Sequence, residues 1–183
     1  MKTKQLKPYL LLWGTQSLST LGSGMTSYAL VLWLYLRSGS ALGTALLSVC
    51  SYAPYVVMSI FAGALSDRWD KKRTMLACDL AAALSTVVVL VLIKTGGLSP
   101  WHLYVLNALN GLMNTIQQPA SEVAATLLIP KEYYQQTSGL RSLAQSMNSI
   151  LTPILATALF TFAGMDLVIA FDLLTFAAAF LTL

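Results

Sequence analysis

Six long apolar runs divide the chain, and most of its charges fall between them. The first extends from about Tyr9 to Leu36, with no charge between Lys7 and Arg37, and the second from Ala41 to Leu65. The third covers 74–93, broken only by Asp79, and the fourth 102–129, broken only by Glu122. The fifth covers 142–163, and the sixth runs over 167–183 around Asp172. A helix that crosses a bilayer needs about 20 mainly apolar residues, and its backbone must be hydrogen-bonded within the segment. The pattern therefore predicts an all-α integral membrane protein, with six transmembrane helices forming one bundle over 1–183. The connections at 37–40 and 164–166 leave no room for an extramembrane domain, and Lys94 to Pro100 reads as an ordinary loop.

Composition agrees. Hydrophobic residues make up 56% of the chain and charged residues 10%, whereas soluble domains carry about 25% charged residues. The first run follows Lys2, Lys4 and Lys7 but is far longer than the apolar core of a signal peptide, about 7–15 residues, so it reads as an uncleaved span. With an even number of spans, Lys2, Lys4, Lys7, Arg68, Lys71, Lys72, Arg73, Lys131 and Arg141 share one side, against Arg37 and Lys94 on the other. Nine basic residues against two predict a cytoplasmic N-terminus in a multi-pass cell-membrane protein. The net charge of +4 comes from bases gathered at run ends, a distribution that points to lipid and not to nucleic acid. Cys50 and Cys78 both lie inside apolar runs, and His102 is the single histidine, which excludes a histidine-rich metal site. There is no phosphate-binding lysine loop and no metal-ligand spacing. The expectation is a protein that is not an enzyme and that needs no cofactor.

Polar side chains inside the runs form stripes. At about 100° per residue, Asn107, Asn110, Asn114, Gln117, Gln118 and Ser121 share an arc of roughly 100° on the fourth helix. The first carries Trp13, Gln16, Ser17, Thr20, Gly24 and Ser27, and Gly22-Ser23-Gly24 there softens the helix or admits close packing. The fifth carries Arg141, Gln145, Asn148 and Thr152, followed by the helix-bending Pro153. Such stripes face protein or water and not lipid. The expected substrate cavity is lined by Gln16, Thr20, Asn107, Asn110, Asn114, Gln117, Gln145 and Asn148; the competing reading is interhelical hydrogen bonding at about 1 kcal/mol each. On the second helix, Tyr52, Pro54, Tyr55 and Met58 suit a broad apolar ligand, with packing the favoured reading. Asp79, Glu122 and Asp172 are candidates for proton coupling or buried ion pairs. Asp79 and Glu122 have Lys72, Arg73 or Arg141 as candidate partners, while Asp172 has no base nearby in sequence and is the better proton-coupling candidate.

One charged island holds six of the eighteen charges: Gly63-Ala64-Leu65-Ser66-Asp67-Arg68-Trp69-Asp70-Lys71-Lys72-Arg73. Its Gly63, Asp67, Arg68, Lys71, Lys72 and Arg73, set between the second and third spans, resemble the loop signature of the major facilitator superfamily. Asp70 departs from that pattern, which has glycine most often. Gln117-Gln118-Pro119-Ala120, leading to Leu128-Ile129-Pro130-Lys131-Glu132, resembles the macrolide-type and siderophore exporter branch. Thr152-Pro153 with Ala156 looks like a degenerate antiporter motif. The resemblance implies the N-terminal half of a twelve-span transporter, with no second six-helix half in these residues, and spans one, two, four and five around the cavity. It further implies an efflux permease, exporting small amphipathic compounds such as drugs or macrolides by proton antiport with alternating access. In that scheme Asp67 approaches a helix N-terminus of the other half, and Arg68, Lys72 and Arg73 pair with acids or lipid phosphates. The expected partners are the bilayer, a small-molecule substrate, the proton gradient, and a second six-helix half or another copy of the chain. The alternative is a half-size, non-transporting membrane module that pairs with another bundle.

Overall fold

In a computed structural model, which describes residues 3–129 and 133–182, the chain is helical almost throughout. The helices are α1 (Thr3–Ser38), α2 (Ala41–Arg68), α3 (Lys71–Lys94), α4 (Pro100–Leu128) and α5 (Tyr134–Thr182). Gly164 interrupts α5 at φ 76°, ψ −178°, a conformation open essentially to glycine alone. It leaves a first arm over 134–163 and a second over 165–182.

The ends of these helices follow from local chemistry. Gly39, at φ 62°, closes α1, its N–H bonding the Tyr35 carbonyl at 2.8 Å. The Ser40 hydroxyl then caps α2 by accepting from the Gly43 N–H. Asp70 does the same for α3, accepting from the Arg73 N–H at 2.8 Å. The residue that departs from the loop pattern thus has a local task. Asp70→Ala is expected to lower stability by about 0.5–2 kcal/mol, the usual cost of losing such a cap, in thermal unfolding of the purified protein; Asp70→Asn, which keeps the acceptor, should stay close to the parent.

Three helical stretches are long and apolar enough to cross a membrane among the described residues: Ala41–Ser59, Lys71–Lys94 and Tyr134–Thr182. The sequence predicts six crossings; three stretches qualify by length and composition alone. The polar stripes dilute α1 and α4, and the fifth and sixth runs are joined across Gly164 as one helix.

The chain clusters into two units, Met1–Tyr28 with Glu122–Leu183, and Ala29–Ser121. In the first, α1 meets both arms of α5. The Asn148 amide reaches the Ser17 carbonyl at 3.4 Å and Thr152 lies against Gly24, so α1 and the first arm run parallel. Thr15 and Thr182 share a 2.7 Å hydroxyl contact, and Ser23 bonds Asp172, so the second arm runs antiparallel to α1. In the second unit, Tyr104 donates to the Gly43 carbonyl at 3.2 Å, and Gly111 lies directly on the Ser51 carbonyl. Those two contacts make α2 and α4 parallel.

The buried face of α3 is mixed, with Met75, Cys78 and Val89 inside beside polar groups. Thr74, Asp79, Ser85 and Thr86 are buried, while Leu80, Leu84, Val87, Val88 and Val91 are exposed. The Ser85 and Thr86 hydroxyls bond back to the carbonyls of Ala81 and Ala82. Apolar side chains outward and satisfied polar groups inward is the arrangement lipid favours.

Candidate functional site

In the unit Ala29–Ser121, the polar row of α4 divides into groups with internal partners and groups facing outward. Asn107 is buried, its amide donating to the Leu103 carbonyl at 2.9 Å. Asn110 is half-buried, and its side-chain oxygen is enclosed without a hydrogen-bond partner. Gln117 donates to the carboxylate of Asp79 on α3, which is 9% exposed. Asn114 and Gln118 are exposed. The row therefore holds α3 through Gln117 and also presents free amides.

In the other unit, Gln16 and Asn148 are half-buried while Thr20 and Gln145 are exposed. Thr20 bonds the Gln16 carbonyl at 2.8 Å, one turn below. Arg141 lies 3.6 Å from Glu122, the two side chains 40% and 52% exposed. A pair this open contributes about 0–1 kcal/mol, so it is a loose contact and not a structural anchor.

Asp172 has a different environment. It is 3% exposed and accepts from the Ser23 hydroxyl at 2.9 Å. Thr175, one turn on, donates to the Asp172 backbone carbonyl at 2.9 Å. The approach depends on Gly22: a β-carbon there would collide with the Thr175 hydroxyl and lie 3.1 Å from the Asp172 Cα. Sequence reasoning missed this pairing. Its signal was Gly22-Ser23 on one helix and Asp172 with Thr175, three positions apart, on the other; nothing along the chain joined the two.

In the charged island, Lys71 opens α3 with its ammonium on the Trp69 carbonyl at 3.1 Å, and Lys72 and Arg73 are exposed. The surroundings of Gly63, the side chains of Asp67 and Arg68, and residues 130–132, including Lys131 and Glu132, lie outside the described part. A shallow open groove follows the first arm of α5 past Pro153, lined by Ile154, Thr157, Ala158, Thr161 and Phe162. None of the expected cavity residues lines it.

Rows of amides and hydroxyls on helices with apolar outer faces define a polytopic helical membrane protein. Residues 12–183 match the Major Facilitator Superfamily, and the chain belongs to that family. It is 27% identical over 178 residues to Macrolide efflux protein A of Streptococcus pyogenes, covering 97% of this chain and 44% of that protein. It is 27% identical over 136 residues to Macrolide efflux protein A of Enterococcus faecalis, covering 74% of the chain and 42% of that protein. With the Multidrug efflux pump Tap of Mycolicibacterium fortuitum it shares 32% identity over 111 residues, 60% of this chain and 27% of the pump. The chain thus spans less than half the length of these relatives. No solved structure matches it.

Proposed function

We propose that these residues form the N-terminal six-helix half of an efflux permease, which exports small amphipathic compounds of the macrolide type in exchange for protons. The observation that carries the reading is similarity across 97% of the chain to Macrolide efflux protein A. A 49-residue α5 is more than twice the length of one crossing, so the Gly164 bend separates two crossings. With α1, α2, α3 and α4 this makes six. The parallel pairs, α1 with the first arm of α5 and α2 with α4, fit alternate crossings. The distribution of basic residues supports a cytoplasmic N-terminus and charged island in a cell-membrane protein.

In this reading Gln16, Thr20, Asn107, Asn110, Asn114, Gln117, Gln145 and Asn148 supply the polar side of the cavity. Rocking against a second six-helix half opens it to each side in turn. Gly63, Asp67, Arg68, Lys71, Lys72 and Arg73 act as the latch between the halves. Asp172, buried on α5 and within reach of the Ser23 hydroxyl, is the foremost proton carrier; Asp79, held by Gln117, and the Glu122–Arg141 pair are the other candidates.

The test uses the complete protein in proteoliposomes with an imposed pH gradient and a radiolabelled macrolide. The parent is expected to drive macrolide against its gradient and to stop when an uncoupler collapses the pH difference. Asp67→Asn should reduce flux at least tenfold with the protein still folded. Asp172→Asn should abolish gradient-driven flux while leaving macrolide binding within a few-fold. Flux indifferent to the proton gradient would overturn antiport, and no macrolide flux in the parent would overturn the efflux reading.

A further inference from the structure

Helices α2 and α4 meet along two facing strips and then part. At about 100° per residue, Gly43, Leu47, Ser51, Pro54, Met58 and Phe61 share one side of α2, and Tyr104, Asn107, Gly111, Asn114 and Gln118 share one side of α4. The first part of these strips is closed. Tyr104 bonds the Gly43 carbonyl, Gly111 lies on the Ser51 carbonyl, and Leu47 and Asn107 are 2% and 9% exposed. The same register sets Pro54 level with Asn114 and Met58 level with Gln118. Here the strips are open: Phe61 is 60% exposed, Asn114 and Gln118 are exposed, and Pro54 and Met58 are half-buried. Pro54 stands where the two helices part. It withholds an N–H from the helix and its ring crowds the preceding turn, the usual cause of a bend.

The two walls of this opening differ in chemistry. The α2 wall offers Pro54, Met58 and Phe61, with Tyr55 at its edge: rings and a soft, adaptable thioether. The α4 wall offers the amides of Asn114 and Gln118, each able to donate and to accept. None of these side chains is charged. A lipid chain in the opening would leave the amides unpaired, and water alone would wet Phe61 and Met58 without gain. A compact solute with one apolar face and an edge of hydroxyls or carbonyls satisfies both walls at once. Other exposed residues of α2 do not share this position. Val56, nine residues on from Leu47, falls on the opposite side of the helix and is 66% exposed, as expected of a side chain that meets lipid.

We infer that the opening between α2 and α4 is a substrate subsite within this bundle, where Met58 and Phe61 hold the apolar face of a small amphipathic compound and Asn114 and Gln118 hydrogen-bond its polar edge. The closed contact of Gly111 with Ser51 ends the subsite on one side. The inference deepens the efflux reading above and rests on it for the kind of compound. Asn114 belongs to the cavity proposed there; Gln118 and the α2 wall extend that cavity sideways, between two helices of the same unit.

The experiment measures equilibrium binding of radiolabelled erythromycin, a macrolide, to the complete protein in nanodiscs, counting only label displaced by excess unlabelled compound. Phe61→Ala and Gln118→Ala are each expected to raise Kd about tenfold. Both side chains are exposed, so both variants should melt within about 2 °C of the parent, which separates lost binding from lost fold. Val56→Ala, on the far side of α2, should bind within about twofold of the parent. Met58→Trp should fill the opening and abolish displaceable binding. An unchanged Kd in Phe61→Ala and Gln118→Ala, or parent-like binding in Met58→Trp, would overturn the inference and leave the opening to lipid or to another helix. No displaceable binding to the parent would overturn it too. Macrolide flux is measured on the same proteins. Normal flux with unchanged Kd in the variants removes the subsite and keeps efflux, whereas binding that falls in the variants, with no flux in the parent, keeps the subsite and removes efflux.

Discussion

Gly111→Ala is expected to force α2 and α4 apart. The added β-carbon would overlap the Ser51 carbonyl oxygen, and it would also lie 2.9 Å from that carbonyl carbon and 3.3 Å from the Ser51 Cα. All three atoms are backbone, so no rotamer change relieves the clash; a helix must move. Overpacking a close contact costs about 1–3 kcal/mol, and moving α4 also strains the Tyr104–Gly43 hydrogen bond seven residues away. Alanine gains about 1 kcal/mol of helix propensity over glycine, which partly masks the loss. Gly14→Ala calibrates that gain, because nothing lies within 4 Å of its added carbon. Thermal unfolding in detergent should show Gly14→Ala at or above the parent and Gly111→Ala clearly below it. Equal melting temperatures for the two variants would show that α2 and α4 do not approach as closely as described.

A comparable loss is expected where α3 meets α4. Asp79 is 9% exposed and receives the Gln117 amide proton. Removing one donor from a buried, charged acceptor costs about 1–3 kcal/mol. Gln117→Ala and Asp79→Ala should each destabilise the protein. The double variant should be about 1–3 kcal/mol less unstable than the sum, since the two single changes break the same hydrogen bond. Strict additivity would mean that the hydrogen bond contributes nothing. The Glu122–Arg141 pair makes a useful contrast. Its side chains are 52% and 40% exposed, so a cycle on it should give a coupling below about 1 kcal/mol.

The family was legible in the charged island because its pattern is contiguous: Gly63, Asp67 and Arg68 to Arg73 occupy one short stretch and need no partner to be recognised. Asp70 shows the limit of such reading. As a departure from a pattern it carried no meaning, yet a short acid just before an apolar run is a capping signal in its own right, and it caps α3. The expectation of six apolar crossings met three qualifying stretches for a related reason. Hydropathy averages over a helix, whereas a helix lining polar space has one apolar face and one polar face, so α1 and α4 fall below what α3 reaches. His102 entered the sequence reading only as the single histidine that excludes a histidine-rich metal site; that its Nδ1 accepts from the Ser99 N–H at the start of α4 came from the structure.

From the sequence alone came the membrane class and the family, and with them an expected orientation. These follow from where charge can and cannot be solvated, a property that each segment carries by itself. The tertiary structure decided which polar groups meet. Gln117 reaches Asp79 across 38 residues, and Ser23 reaches Asp172 across 149. Helix periodicity puts each of these side chains on a face. Which faces touch, and at what register, is set by packing at the points of closest approach, Gly22 on Asp172 and Gly111 on Ser51. A glycine read along the chain does not say which backbone it will lie against.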